Sequence, residues 1–338
     1  MYRNPHFKRE KKHHTPKGFR NTEPWHFNKN ALDFFKWRWE AIFKEIDRPT
    51  MDVLPYAQPA LDVIHSKPGR PVATWLGHST ILYQIDGKSM LTDPHFSDRA
   101  SPVQWIGPKR FMRPVVEVEH LPHIDYVVIS HDHYDHLDRG SILALYQRFG
   151  DDLTFVVPLG IRCWLAEQGI HNAQEMDWDE SWEHEGIRFD CHQVRHWSRR
   201  SLIDKNRRLW AGWSISTPSF KFFFTGDSAY TDQFKTIGQN HGPFDLAAIP
   251  IGAYEPRWFM KGAHMNPEEA VQVHQDLRAK TSFAIHWGTF MLTEEHYKQP
   301  PKDLKKALAS EGLNERDFLV LRHGQTLTVD SHYSLKKK

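Results

Sequence analysis

Side chains that can bind a metal ion are concentrated in one stretch of six residues, 131–136. Five of the six qualify, namely His131, Asp132, His133, Asp135 and His136. The stretch directly follows residues 124–130, a mostly apolar run with the length of a buried β-strand. A strand that ends in such a loop presents imidazoles and carboxylates in different directions from one rigid edge. Because zinc accepts both types of ligand, the sequence predicts a site for two adjacent metal ions rather than a solvated polar turn.

Three further polar side chains follow predicted strands in the same way, and these are His196, Asp227 and His286. Taken singly, an Asp after a glycine is often a turn residue, and a His before a Trp is often a hydrogen-bonded core residue. Together with the first cluster they complete a set of seven candidate ligands: His131, His133, Asp135, His136, His196, Asp227 and His286. Seven ligands are the number that two metal ions need when they share one carboxylate.

Size and composition place the chain among ordinary globular proteins. Its 338 residues are enough for one domain with a large core. The formal net charge of +2 gives no strong positive field, so no nucleic-acid partner is expected. The two cysteines are too few for a disulfide framework. The chain has no apolar leader and no run of ~18 apolar residues, so we expect a cytoplasmic protein and leave open a peripheral contact with the inner face of the membrane.

The N-terminal region differs in composition from the rest of the chain. Residues 1–25 are predicted to be a basic flexible tail, because the first twenty residues hold seven Lys and Arg against one acidic residue. Asn30 then precedes residues 31–46, whose apolar stripe predicts an amphipathic helix. We expect this stripe to pack on the core, with an interfacial membrane helix as the alternative. Residues 26–70 are therefore predicted to be a helical extension, and residues 71–330 the main domain.

Beyond the extension, short β segments alternate with helices. An alternating pattern over residues 81–92, with Asp-Gly at its centre, predicts a hairpin. Residues 139–149 and 160–168 have the pattern of helices, and Asn266 before Pro267 predicts the start of another. Two runs of strands, each followed by helices, predict an α/β fold in which two sheets pack together and helices cover their outer faces.

At the candidate ligands the chain resembles the metallo-β-lactamase fold hydrolases, whose pattern is His-x-His-x-Asp-His, then a His, then Gly-Asp, then a late His. Over residues 70–325 it resembles more closely N-acyl-phosphatidylethanolamine-hydrolysing phospholipases D and their bacterial relatives. The stretches that carry this likeness are 74–80, 91–94, 107–111, 131–138, 222–227, 243–258 and 284–289. The long stretch 243–258 is much more specific than the metal motif. The chain departs from the mammalian pattern after Asp227, where Ser-Ala-Tyr stands in place of Thr-Gly, and this leaves the ligand itself unaffected.

The resemblance implies both a fold and a set of metal ligands. The fold is the metallo-β-lactamase fold, an αββα four-layer sandwich of two mixed β-sheets with helices on the outer faces. The implied ligands are His131, His133 and His196 for one zinc ion, Asp135, His136 and His286 for the second, and Asp227 as the bridge between them. The cofactor expected from this set is therefore Zn²⁺, two ions per chain.

Three residues outside the ligand set are assigned local roles. His264 stands where the family has a histidine near the substrate phosphate, so it is expected to steady the phosphoryl oxygens or protonate the leaving group, unless it is a surface-loop histidine. Asp93 ends a predicted strand and is a candidate for orienting a ligand imidazole, although an ordinary turn residue fits equally well. Trp164 is expected at the lip of an apolar groove, whereas most of the 13 tryptophans are expected in the core.

These observations predict a dinuclear zinc phosphodiesterase of the phospholipase D type. Through a hydroxide shared by the two ions, it would hydrolyse N-acylphosphatidylethanolamine at a membrane surface to phosphatidic acid and an N-acylethanolamine. Two alternatives stay open. One is a hydrolase of another ester, such as a sugar-phosphate lactone or a nucleic-acid phosphodiester, and the other is a non-catalytic, lipid-responsive metal-binding protein. The patterns do not determine the oligomeric state, and a homodimer is left open.

Overall fold

The computed structural model describes residues 3–23, 47–66 and 70–328, together with residues 33, 36, 37, 39 and 40. The predicted helix at residues 31–46 therefore lies mostly outside the described residues. Among the described helices, none combines the length and the apolar character that crossing a membrane requires.

The strands are β1 His14–Thr15, β2 Gly18–Phe19, β3 Val72–Gly77, β4 Thr80–Ile85, β5 Lys88–Thr92, β6 Tyr126–Val128, β7 Thr154–Pro158, β8 Ala173–Met176, β9 Ser181–His184, β10 Ile187–His192, β11 Gly212–Ser216, β12 Lys221–Phe224, β13 Leu246–Pro250, β14 Ser282–Ile285, β15 Phe318–Leu319 and β16 Thr326–Thr328. The α-helices are α1 Leu61–His65, α2 Arg139–Phe149, α3 Ile161–Glu167, α4 Gln233–Asn240, α5 Arg257–Met260, α6 Pro267–Asp276 and α7 Gln299–Ser310. Two short 3₁₀ helices span Val118–His120 and Gly150–Asp152.

Fourteen of these strands form two mixed sheets of seven strands each. The first has the order β16-β3-β4-β5-β6-β7-β8, with parallel pairing from β5 to β8. The second has the order β15-β14-β13-β12-β11-β10-β9, with parallel pairing from β12 to β15. The predicted hairpin is confirmed, since β4 pairs antiparallel with β5 and positive φ angles at Asp86 and Gly87 close the turn.

The two sheets share an aromatic core. Tyr83 and Tyr126 from the first sheet lie in one buried cluster with Trp213 and Phe222 from the second. Neighbouring residues on the other face of the first sheet pack against helices α2 and α3 in a separate cluster. Because successive side chains of a strand point to opposite faces, burial on both faces means that this sheet has a sheet on one side and helices on the other. On the second sheet, α6 packs against β13. The predicted αββα arrangement is confirmed.

The predicted helix starts are also confirmed. Asn266 caps α6 by accepting a hydrogen bond at Oδ1 from the backbone N–H of Glu269, at 3.0 Å, and the Glu269 carboxylate accepts from the backbone N–H of Asn266 at 3.1 Å. This reciprocal pairing satisfies two donors at the helix N-terminus. Asp138 caps α2 through the backbone N–H of Ser141, so the loop that carries the metal-binding motif runs directly into a capped helix.

Residues 3–23 do not form the flexible tail that their basic composition predicts. They contain the β1–β2 hairpin and pack on the domain. The carboxylate of Asp177 contacts Nε2 of His13 at 2.6 Å and Nε2 of His14 at 3.0 Å, and all three side chains are buried. Phe19 is also buried and belongs to the main core cluster. The prediction was wrong because it counted exposed Lys and Arg side chains, whereas the packing depends on the histidine and phenylalanine side chains between them.

We expect Asp177→Asn to loosen residues 3–23 and to lower the free energy of unfolding by about 1–3 kcal/mol, since two buried hydrogen bonds to a charged group are weakened. Amide hydrogen exchange at residues 13–19 should become faster. Asp179→Asn is the matched control, because that residue is exposed and its positive φ suits asparagine. Equal exchange rates in both variants would contradict the anchoring role of Asp177.

The same contact predicts that the stability of the fold decreases at acid pH. Burial alone would raise the pKa of the Asp177 carboxyl, but the hydrogen bond and charge of His13, with the charge of His14, lower it to about 2. A depressed carboxyl pKa stabilises the fold above the unfolded value of ~3.9. That stabilisation is lost as the pH falls towards 2. When the free energy of unfolding is measured against pH, Asp177→Asn should lack this loss, because it has no carboxylate at position 177.

Candidate metal centre

Polar side chains from both sheets meet where β6 of the first sheet and β10, β12 and β14 of the second sheet end. Strand β6 of the first sheet runs into the loop at residues 131–136, which is the predicted metal-binding stretch. In the second sheet, Asp227 follows β12, His286 follows β14 and His196 follows β10. Sites in α/β folds form outside the carboxyl ends of strands, and here two such edges face each other.

A close backbone approach brings the two edges together. Gly226 has a φ of +61°, and a Cβ at this position would lie 2.5 Å from the Cβ of Ser130. Only glycine fits this approach, so the sequence Gly226-Asp227 is required for the second sheet to deliver its carboxylate. The Trp213 Nε1–H donates to the Ile129 carbonyl at 2.9 Å, and the Ala211 N–H donates to the Ser130 carbonyl at 2.9 Å. These bonds hold the two sheets in fixed relation at the site.

The first ligand group consists of His131, His133 and His196. Nε2 of His131 lies 2.8 Å from Nδ1 of His133, and Nε2 of His196 lies 3.1 Å from the same Nδ1. His131 and His196 are fully buried. Three imidazole nitrogens therefore converge on one point, which is the donor arrangement of a zinc site.

The second group is centred on Asp135. Its Oδ2 lies 3.2 Å from Nε2 of His136, 3.3 Å from Nε2 of His286 and 3.0 Å from Nε2 of His78. His78 was not predicted as a site residue. It follows β3 just as the predicted ligands follow their strands, and its carbonyl accepts from the His286 N–H at 2.9 Å. The rule that found the other ligands would have found His78 had it been applied to β3.

Asp227 lies between the two groups. Its Oδ2 is 3.2 Å from Nε2 of His136, 3.1 Å from Nε2 of His286 and 3.8 Å from Nε2 of His196. Its Oδ1 is buried and has no hydrogen-bond partner among the described residues. An unpaired buried carboxylate oxygen costs about 1–3 kcal/mol or more, and a cation would offset this cost. The structure thus brings all seven predicted ligands together, in an arrangement that fits a pair of metal ions.

Polar groups behind the histidines orient their rings. Oδ2 of Asp93 lies 2.7 Å from Nδ1 of His136 and accepts from Oγ of Ser130 at 2.5 Å. The same Oγ lies 2.9 Å from Nδ1 of His131, and Nδ1 of His196 lies 2.9 Å from the Ala263 carbonyl. With Nδ1 engaged in this way, Nε2 of each ring is directed to the centre. Asp93 is therefore placed as predicted for an orienting carboxylate.

The charges of the centre are balanced within it. Burial alone would lower the pKa of His286, but the adjacent Asp227 and Asp135 raise it to about 9. By contrast, burial lowers the pKa of His196 to about 4, and the charge of Asp227 offsets this only in part. The adjacent carboxylates therefore make His286 the more basic of these two imidazoles. A metal ion would displace any proton there, because ligand imidazoles must be neutral to bind.

His264 lies beside the centre, in front of α6. Its Nδ1 is 3.7 Å from Oδ2 of Asp227, and its ring centroid is 5.2 Å from that of His196. It also lines a cleft of about 1250 Å³ that opens on the centre. Other walls of the cleft are apolar and include Trp197 and Phe259. His264 is thus not a surface-loop histidine remote from the site.

The expectation that Trp164 forms the lip of this cleft is wrong. Its side chain is 8% exposed and belongs to the core cluster beneath α3. The guanidinium of Arg200 covers the ring, at 5.0 Å from its centroid. The apolar face of a short helix is needed to cover the sheet, so Trp164 is not available to the cleft. Trp37 and Trp197 line the cleft instead.

We expect Asp227→Asn to weaken both metal positions together, because the change removes a negative charge that faces both ligand groups. Loss of an orienting partner alone typically lowers metal affinity 10–100-fold, so a loss of at least about tenfold is expected at each position. Metal content after dialysis against a chelator measures it. Asp232→Asn is the matched control, since that side chain is 75% exposed. Retention of one metal at wild-type affinity would contradict a bridging role.

Comparisons with known proteins agree with this geometry. Residues 88–287 match the model of the beta-lactamase superfamily domain. The chain is 43% identical over 292 residues to N-acyl-phosphatidylethanolamine-hydrolyzing phospholipase D 1 of Caenorhabditis elegans, covering 82% of each protein. It is 32% identical to the mitochondrial enzyme of that name from Saccharomyces cerevisiae, over 72% of this chain and 53% of the yeast protein.

Among solved structures, an isothiocyanate hydrolase from Delia radicum gut bacteria superposes with a TM-score of 0.60 at 18% identity, over 77% of this chain and 99% of that one. This likeness shows the fold. The family model and the sequence identities show the relationship. The chain therefore belongs to the metallo-β-lactamase superfamily of metal-dependent hydrolases and is related within it to the N-acyl-phosphatidylethanolamine-hydrolysing phospholipases D.

Proposed function

We propose that this protein is a dinuclear zinc phosphodiesterase that hydrolyses N-acylphosphatidylethanolamine to phosphatidic acid and an N-acylethanolamine. The proposal rests on the carboxylate of Asp227. It lies at the floor of a large cleft and faces both the first and the second ligand group. The paired centre supports the reaction class, because two adjacent metal ions suit the hydrolysis of a phosphodiester. The substrate is suggested by the 43% identity to the nematode phospholipase D.

Each ligand group would hold one zinc ion. The proposed ligands are His131, His133 and His196 for the first ion, Asp135, His136 and His286 for the second, and Asp227 for both. His78 is close to the second group, but its Nε2 contacts Asp135 at 3.0 Å. Burial, together with the charge of His286, lowers the pKa of His78 to about 3, so it is a neutral donor. We assign it the role of orienting the Asp135 carboxylate.

Paired zinc ions lower the pKa of bound water and stabilise charge on phosphoryl oxygens. The chain itself supplies orientation and a hydrogen-bond donor. Burial lowers the pKa of His264 well below its usual range, despite the nearby charge of Asp227. The imidazole is therefore neutral, which favours a hydrogen bond to a phosphoryl oxygen over proton donation from an imidazolium. Of the two roles expected for His264, the structure thus supports steadying the phosphate.

The mouth of the cleft supports a phospholipid at a membrane surface as the substrate. Trp105 is 76% exposed and Leu202 is 88% exposed, each beside a second exposed apolar residue. Leu202 lines the cleft, as do Ala100 and Pro108 at the two ends of the loop that carries Trp105. Exposed aromatic and aliphatic side chains around an opening suit the boundary between lipid head groups and acyl chains.

Product analysis tests the proposal. Zinc-loaded protein is incubated with vesicles of N-acylphosphatidylethanolamine and of other phospholipids, and the products are identified by mass spectrometry. We expect phosphatidic acid and N-acylethanolamine from the first substrate, and their absence with Asp227→Asn. Faster turnover of a lactone or of RNA would support hydrolysis of another ester. Fully metal-loaded protein that hydrolyses none of these would support a non-catalytic metal-binding role.

A further inference from the structure

The N-terminal strap, residues 3–23, lies beside the candidate metal centre. Its hairpin meets the loop at residues 198–206, where the Phe19 N–H donates to the Asn206 carbonyl at 2.7 Å. Gly18 has a φ of +149°, and a Cβ there would lie 2.0 Å from the Asn206 carbonyl oxygen. The side chain of Asn4 donates to the Gly18 carbonyl at 2.9 Å and fixes the turn. The strap is therefore fitted to this loop by backbone contacts rather than by surface charge.

Beyond the hairpin, the strap reaches a predicted zinc ligand. The Asn21 Nδ2–H donates to the backbone carbonyl of His196 at 2.9 Å. On the other side of His196, its ring Nδ1 meets the Ala263 carbonyl at 2.9 Å. Asn21 and Ala263 thus hold the backbone and the ring of His196. Two contacts to one residue limit both the position of its peptide and the direction of its Nε2.

The end of the strap contacts both loops that enter the centre from the second sheet. The Glu23 carboxylate lies 3.5 Å from Nη1 of Arg195, which precedes His196 in the chain. It also accepts a hydrogen bond from the hydroxyl of Thr231, four residues after Asp227. The strap therefore connects the segment that delivers His196 with the segment that delivers Asp227.

The strap also forms part of the cleft wall. Arg20 and Asn21 line the cleft together with Arg199 and Lys205 of the neighbouring loop. None of these three cationic residues makes an ion pair with an acidic residue in the described part of the chain. The acidic residues of the cleft are engaged elsewhere, since Glu23 pairs with Arg195 and the others, Asp135 and Asp227, belong to the centre. This wall therefore presents net positive charge to an anionic substrate.

We propose that residues 3–23 are an active-site strap, in which Asn21 positions His196 for metal binding and Arg20 attracts the anionic group of the substrate to the cleft. The second role rests on the proposed function, whereas the first concerns the metal centre alone. Asn21 acts through His196 and is a positioning residue. Arg20 is a binding residue of the cleft wall.

Asn21→Ala tests the positioning role without any substrate. The protein is loaded with cobalt(II), whose visible absorption reports ligand geometry, and metal affinity is measured by competition with a chelator. We expect a shifted spectrum and an affinity about tenfold lower, which is the range for loss of an orienting contact. Thr22→Ala is the matched control, because Thr22 contacts the Gln193 side chain and no ligand. An unchanged spectrum in Asn21→Ala, or the same change in both variants, would overturn the positioning role.

Arg20→Gln tests the binding role. The Kd of the metal-loaded protein for short-chain phosphatidic acid is measured by calorimetry at two salt concentrations. We expect Kd to rise roughly two- to fivefold, the range for an exposed ion pair, and to depend less on salt. Arg9→Gln removes the same charge from an exposed strap residue outside the cleft wall, and its Kd should equal that of the wild type. Equal effects in both variants, or none in Arg20→Gln, would overturn the role of Arg20.

The two experiments separate failure of the strap from failure of the proposed function. If the wild-type protein releases no phosphatidic acid from N-acylphosphatidylethanolamine, the proposed function is wrong, and if it does not bind short-chain phosphatidic acid, the role of Arg20 is wrong. The cobalt spectra of Asn21→Ala and Thr22→Ala then still decide whether the strap positions His196. If the wild type hydrolyses N-acylphosphatidylethanolamine and binds short-chain phosphatidic acid while both pairs of variants behave alike, the function stands and the strap proposal falls.

Discussion

Burial of carboxylates at the junction of the two sheets is the constraint on which the site depends. Asp227 and Asp93 are both nearly inaccessible to solvent, and an isolated buried charge is strongly unfavourable. The protein offsets this cost with imidazoles, since His136 lies within 3.2 Å of Asp227 and 2.7 Å of Asp93. The same arrangement leaves Oδ1 of Asp227 without a hydrogen-bond partner among the described residues. A cluster that only stabilised the fold would give this oxygen a hydrogen-bond donor. Its unpaired position facing the centre is better explained as a binding position for a cation.

The fold supplies this junction through a few backbone features. The glycine at position 226 lets the second sheet approach Ser130 at a distance that any side chain would prevent. Ser130 in turn connects Asp93 with His131, so that one hydroxyl links the orienting carboxylate of the first sheet to a ligand of the first group. The positive φ of His286 turns the chain directly after β14 and brings its ring into the second group. Strand ends determine where the ligands are, and these local departures from regular structure determine where they point.

Much of this could be predicted from sequence because each ligand follows a strand whose pattern is visible in the residues. The hairpin at residues 81–92 and the helix start at Asn266 rest on local chemistry, and both were predicted correctly. His78 also follows a strand and was missed because the rule was not applied to β3, whereas its contact with Asp135, which spans 57 positions, is not encoded in any local pattern. The contacts of His13 and His14 with Asp177 span more than 160 positions. Composition gives the average behaviour of a segment, whereas such contacts depend on individual side chains far apart in the chain.

The N-terminal strap shows why a basic segment need not be disordered. Its lysines and arginines are mostly exposed, while the side chains that pack inward are His13, His14 and Phe19, with Asn4 beneath the turn. The two inward-facing histidines both contact the buried Asp177 carboxylate, so the polar groups of the inward face are hydrogen-bonded rather than left unpaired. Most of the charged side chains of the strap are left on its outer face. Because the strap ends at the cleft, the charge pattern that resembles a disordered tail also places a cation on the wall of the candidate active site.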